Sequence, residues 1–269
     1  MNTETEVTTQ TVSSHDGTTI AYERVGDGPA LVLVDGAMCY RQFGPCRDLA
    51  KKLADRFTVY FYDRRGRGES GDTAPYAPER EFEDLAAVIG AAGGTASVFG
   101  FSSGGALALQ AAASGVAMTR VASYEAPFIG EVVVKGNTVD ALAQLNQRLA
   151  VGDRAGAVNY FTVQMVGGPA FLPIVMRLMP KVFNQLKAIA HTLPYDTELM
   201  RGFVVPTEEL AKVSVPALVM GGSKAKPNMR AAVQRVAEAI PGSVHKTLQG
   251  QTHQVAPEAI APELIEFFA

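Results

Sequence analysis

The stretch Gly100-Phe101-Ser102-Ser103-Gly104-Gly105 (GFSSGG) decides how this chain is read. It joins an apolar run, Ala96 to Phe101, to an alanine-rich run, Ala106 to Ala113. A phosphate-binding P-loop ends in Gly-Lys-Ser/Thr, whereas Gly105 is followed by Ala106 and Leu107, so that reading fails. A dinucleotide fingerprint needs glycines in the GxGxxG register, and the register here is wrong. GxSxG fits, from Gly100 to Gly104. Glycines two before and two after the serine let a strand turn sharply into a helix, which forces Ser102 into a strained conformation with its hydroxyl in the cleft. The helix that begins there aims its free amides at the same point.

Outward from this turn, strands and helices alternate. Ala30 to Val34, Thr58 to Tyr62 and Ala96 to Phe101 are short continuous apolar runs, as strands covered on both faces should be. Helices are predicted over Phe43 to Leu53 and Glu79 to Ala92, where Phe82, Leu85, Ala86 and Ile89 share one face. Thr18 to Arg24 alternates between faces and is expected to pair with Thr5 to Val12 across the His15-Asp16-Gly17 turn. The series resumes with a strand at Val215 to Gly221, a helix over Met229 to Ile240, a strand at Val244 to Leu248 and a helix from Pro257 to Phe268. This order implies a parallel sheet with right-handed crossovers. From Phe128 to Pro206 the rhythm breaks into helical pieces bearing Met165, Met176, Met179 and Met200. Such pliable side chains suit an irregular apolar ligand, although each one taken singly reads as core filling.

Composition narrows the function. A chain of 269 residues buries about 75% of its unfolded surface, so a large core is available. With 47% hydrophobic residues, 19% charged and a net charge of -3, it has no basic field for nucleic acid. The polar start, MNTETEVTTQTVSSHDG, lacks the positive and apolar segments of a secretory signal, so a cytoplasmic location is expected. No apolar segment reaches the roughly 18 residues of a membrane span, and no membrane partner is expected. Cys39 and Cys46 fit neither a disulfide framework nor a CxxC metal site, and no cofactor or metal is expected.

A serine nucleophile needs a histidine base. His15 lies in the N-terminal turn, His191 in the methionine-bearing segment and His245 inside the last predicted strand. His253 follows that strand in a loop, Gln249 to His253. Parallel strands put such loops at the carboxyl edge, where Ser102 sits, so His253 is the expected base.

The segments DGTTIAYERVGDGPALVLVDG (Asp16 to Gly36), YDRRGRGESG (Tyr62 to Gly71), the Ser102 turn and GQTH (Gly250 to His253) together resemble an α/β-hydrolase over nearly the whole length. The resemblance implies a mostly parallel eight-stranded sheet flanked by helices. It also implies a core of residues 1–127 and 207–269 with a helical cap inserted at 128–206. It makes the Arg64, Arg65 and Arg67 turn structural rather than an anion site.

Two departures stand out. Asp35-Gly36 replaces the His-Gly of most members, and Gly222 to Asn228, where most place the triad acid, holds no carboxylate. Without an acid partner the imidazole loses its tautomer lock, at a cost of up to ~10⁴ in rate. Arg120 to Tyr124 reads as the strand beside the serine strand, roughly 4.8 Å away, and Glu125 ends it. Zearalenone-type lactonases are similar on both departures, with an Asp-Gly loop and a glutamate placed as in Glu125-Ala126-Pro127. Similar YEAPF segments also occur in relatives that keep the ordinary acid, where the glutamate satisfies loop amides; Asp196 is then the reserve acid. The oxyanion donors implied are the amides of Ser103 and of Gly36 or Ala37, with Asp35 orienting that loop.

The function implied is a cofactor-free serine hydrolase acting on an apolar ester or lactone through an acyl-enzyme, as a monomer or homodimer. The alternatives are a non-hydrolytic binding protein or cyclase-like enzyme that uses the pocket for shape, or a carbon-carbon bond hydrolase or cofactor-free peroxidase. Dehalogenation is disfavoured, because those relatives carry aspartate where Ser102 stands.

Overall fold

A computed structural model describes residues 8–134 and 136–269. In chain order it contains β1 (Gln10–Ser13), β2 (Thr19–Val25), β3 (Ala30–Val34), α1 (Cys46–Leu53), β4 (Thr58–Tyr62), α2 (Pro78–Ala91), β5 (Ala96–Phe101), α3 (Ser103–Ala113) and β6 (Met118–Tyr124). A short hairpin follows, β7 (Val133–Val134) and β8 (Asn137–Thr138), and then helices α4 (Ala141–Ala150), α5 (Arg154–Asn159), α6 (Leu172–Leu178), α7 (Pro180–Ala188), α8 (Leu193–Leu199) and α9 (Thr207–Leu210). The chain closes with β9 (Ala217–Gly222), α10 (Pro227–Ala239), β10 (Val244–Leu248) and α11 (Pro257–Phe268).

Eight strands form one sheet in the order β1-β2-β4-β3-β5-β6-β9-β10. β2 is antiparallel to both β1 and β4, and every later pairing is parallel. Side chains alternate across the sheet, so Leu31 and Leu33 pack with Leu49 of α1 and Leu264 of α11, while Val32 and Val34 pack with Leu107 of α3 and Val236 of α10. The register aligns the strand tips: Val34 lies opposite Gly100, Phe101 opposite Tyr124, and Gly222 opposite Leu248. The residues after β3, β5, β6, β9 and β10 therefore emerge on one edge.

The expected elements are present with shifted ends. The first helix starts at Cys46 rather than Phe43, because Tyr40 and Phe43 exchange backbone hydrogen bonds in a tight turn and Pro45 opens the helix. Gly44 is needed there, since a Cβ would stand 2.8 Å from both oxygens of Asp35. β9 begins after Pro216, which has no amide to give the ladder. The first strand runs Gln10–Ser13, and the Thr5 to Val7 part of its expected span lies outside the described residues.

The helices between β6 and β9 bury a third apolar cluster that includes Leu145, Val158, Phe161 and Phe203, joined by Met38 from the loop after β3. Met165, Met176 and Met200 are buried in it or at its edge, but Met179 is 51% exposed. Among the described residues no helix is long and apolar enough to cross a membrane.

Asp35, at the tip of β3, is buried, and its Oδ1 has no hydrogen-bond partner among the described residues. Burial pushes its carboxyl up to about 7, against the amide and thiol of Cys46, which face it. Between about pH 4 and pH 7 the folded chain thus keeps a proton that the unfolded chain has released, so this group's stabilisation is lost as pH rises through 7. Asp35→Asn removes that loss. We expect the variant's stability relative to wild type to improve by up to about 3 kcal/mol between pH 5 and pH 8, read from denaturant melts. A stability difference independent of pH would contradict the burial of a proton on Asp35.

Candidate active site

Ser102 joins β5 to α3 with φ 50° and ψ -124°, a conformation rarely adopted outside glycine. Three backbone bonds hold it there. Its amide donates to the Tyr124 carbonyl at 2.9 Å, and its carbonyl accepts from the amides of Gly105 at 2.9 Å and Ala106 at 3.1 Å. The flanking glycines are steric requirements: a Cβ on Gly100 would run into the Gly104 carbonyl, and one on Gly104 into the Val34 carbonyl. The strained serine is thus the residue that the quoted stretch predicts.

Glu125 follows β6 at φ 48° and is fully buried. Its amide donates to Met220 at 2.9 Å. One carboxylate oxygen accepts from the Gly222 amide at 2.8 Å, and the other lies 2.7 Å from His253 Nδ1. An imidazole whose Nδ1 is engaged by a carboxylate presents Nε2 for proton transfer. The Tyr124 hydroxyl donates to the Thr252 carbonyl at 2.5 Å, which fixes the backbone immediately before His253. Tyr124 thus receives the Ser102 amide on its carbonyl and grips the histidine loop with its side chain. Gly222 has no room for a side chain, because a Cβ would strike the Gln251 carbonyl. The tip of β9 supplies an amide where an acid was missed, and the tip of β6 supplies the acid.

Asp196, the reserve acid, is elsewhere. It is buried on α8 and accepts from Arg64 at 2.8 Å, from Arg67 at 2.6 Å and from the Ser103 hydroxyl at 2.8 Å. Burial alone would raise its pKa, but Arg67 and Arg64 outweigh burial and hold it below the ordinary range. Both of its oxygens are committed to this cluster, so it does not serve His253. The arginines are equally committed: Arg64 also forks onto Glu81 at 2.5 and 2.7 Å, and Arg65 onto Asp84 at 2.7 Å. The turn is structural, as the resemblance implied, and not an open anion site.

The same arginines shape the loop after β3. Arg67 donates to the Gly36 carbonyl at 2.8 Å. Gly36 lies against the serine, since a Cβ on it would stand 3.1 Å from Ser102 Cβ and 3.8 Å from Oγ. The amides of Ala37 and Ser103 donate to no group among the described residues, which leaves them available to an incoming oxyanion. Of the other histidines, His15 lies 3.8 Å from Glu83, His191 lies 3.5 Å from Asp72, and His245 is exposed on β10. Among the described residues no cluster of three or more metal-ligating side chains occurs.

Sequence reasoning missed the Gly222 amide, the Tyr124 hydroxyl and the Arg64–Asp196–Arg67 clamp. The clamp spans 132 residues between Arg64 and Asp196, and nothing local to either residue signals it.

No curated protein is significantly similar to the chain. Solved structures are. An alpha/beta hydrolase from Sphaerobacter thermophilus DSM 20745 is 49% identical, with a TM-score of 0.87 over 97% of this chain and 100% of that one. A hydrolase from Pseudomonas aeruginosa PA01 is 21% identical, with a TM-score of 0.72 over 98% of each chain. The enol-lactonase from Burkholderia xenovorans LB400 is 19% identical, with a TM-score of 0.70 over 96% of this chain and 99% of that one. A sequence model of the alpha/beta hydrolase family matches residues 31–263. With its eight-stranded sheet, its serine turn and that match over most of its length, the chain belongs to the alpha/beta hydrolase family.

Proposed function

We propose that the protein is a cofactor-free serine hydrolase that cleaves a carboxylic ester or lactone through an acyl-enzyme. The observation that carries this reading is the 2.7 Å contact between His253 Nδ1 and Glu125, on the sheet edge where Ser102 is held strained. In this reading Ser102 Oγ attacks the substrate carbonyl while His253 Nε2 takes its proton. Glu125 holds the imidazole in the required tautomer and offsets the charge of the imidazolium. The Ser103 amide, with that of Ala37 or Gly36, receives the oxyanion, each donor being worth ~10² to 10³ in rate. His253 then protonates the leaving alkoxide, and water, activated by the same imidazole, releases the acid and restores Ser102.

The helical insertion fits the role of a cap over this edge. Its cluster includes Met38 of the loop after β3, and its Asp196 bonds the residue that follows Ser102. An apolar acyl or alcohol group suits the methionines and aromatics of that cluster. The enol-lactonase among the structural relatives is in keeping with this substrate class, although at 19% identity it carries the fold alone.

Ser102→Ala should abolish turnover of short p-nitrophenyl esters and labelling by a fluorophosphonate probe. A variant that kept both would remove the nucleophile from this account. Glu125→Gln should lower kcat by up to ~10⁴, with the Gly222 bond preserved by the amide oxygen. Asp196→Asn should instead lower the melting temperature, because it leaves Arg64 and Arg67 short of a buried counter-charge, and should cost far less in kcat. The reverse ranking of these two variants in kcat would move the acid role to Asp196.

A further inference from the structure

Helix α6 turns an apolar face outward. Phe171, Ile174, Val175 and Leu178 fall at i, i+3, i+4 and i+7 and are 62%, 63%, 38% and 78% exposed. Val166 at 49% and Met179 at 51% extend the patch at either end, while Met176 is the residue that α6 buries. A face of this kind on a water-soluble surface marks an interaction site.

Charge identifies the occupant. From Arg154 to Tyr195 the sequence has no Asp or Glu. Arg177 and Lys181 are exposed beside the patch and form no ion pair among the described residues. Lys226 adds a third cation at the rim, where its ammonium donates to the carbonyls of Val166 at 3.2 Å and Gly167 at 2.8 Å. A second copy of the chain is a poor match, because a two-fold contact through this face would bring two identical cationic segments together, neither of which carries an Asp or Glu to pair with the other. An apolar stripe with a cationic rim, on a segment that carries no Asp or Glu, matches the boundary layer of a negatively charged bilayer, where the stripe enters the acyl region and the cations meet the headgroups.

We propose that α6, with Arg177, Lys181 and Lys226 around it, is a docking face for an anionic lipid surface. The chain rests on the bilayer and does not span it, which departs from the sequence expectation of no membrane partner. The face shares no residue with the constellation around Ser102, so the inference stands whichever acyl substrate the protein takes.

The test is co-sedimentation of the full chain with phosphatidylcholine vesicles made with and without phosphatidylglycerol. Binding is expected to the phosphatidylglycerol vesicles and to weaken as salt is raised. Ile174→Ser with Leu178→Ser should reduce that binding by at least about tenfold. Arg177→Gln with Lys181→Gln should reduce it about 30-fold, with no change on neutral vesicles. Absence of binding to the anionic vesicles, or equal binding by wild type and both double variants, would overturn the proposal. So would a dimer in light scattering that Ile174→Ser with Leu178→Ser dissolves, since a second copy would then own the face.

Discussion

The geometry of the site depends on one carboxylate. Glu125 is fully buried, and a buried charge is tolerated only when its oxygens are occupied. Here one oxygen takes the Gly222 amide and the other meets His253 Nδ1 at 2.7 Å. Each partner comes from a different strand tip, so the contact exists because β6, β9 and β10 end in register on one edge. Ser102 belongs to the same edge through the hydrogen bond its amide donates to the carbonyl of Tyr124, the residue before Glu125. Moving any one of these tips by a single residue would turn its side chain to the opposite face of the sheet.

A second set of buried charges ties the site to the rest of the molecule. Arg64 and Arg67 reach the loop after β3, the hydroxyl of Ser103 and Asp196 on α8. These charges are out of water, so the arrangement survives only with its partners complete, and losing one leaves another uncompensated. The result is positional. The Gly36 carbonyl is drawn to Arg67, while the amides of Ala37 and Ser103 find no partner among the described residues. The helices between β6 and β9 are joined to the serine turn by the same carboxylate that bonds Ser103, so the position of α8 and the position of that turn are set together.

What was legible in the sequence was what local sterics dictate. Gly100, Ser102 and Gly104 announce a turn that few other residues permit, and His253 follows a strand whose end could be placed. Glu125 was reachable by exclusion, because the segment after β9 has no acid and the strand next to the serine ends in one. The clamp around Asp196 was not legible: an aspartate between Tyr195 and Thr197 carries no mark of two arginines far upstream. Nor was the outward face of α6, since Ile174 and Leu178 have the spacing of core residues and only packing shows that they are exposed. The helix expected from Phe43 starts at Cys46 for a local reason, the Gly44-Pro45 step that lets the chain pass beneath Asp35.

The pairing of Glu125 with His253 carries the functional reading, and it can be observed without a substrate. Proton NMR of the protein detects a strongly deshielded Nδ1 proton when that nitrogen donates to a buried carboxylate. The account predicts this signal in wild type and in Asp196→Asn, and its loss or a large upfield shift in Glu125→Gln. A signal that persists unchanged in Glu125→Gln, or disappears in Asp196→Asn while the fold is intact, would contradict it.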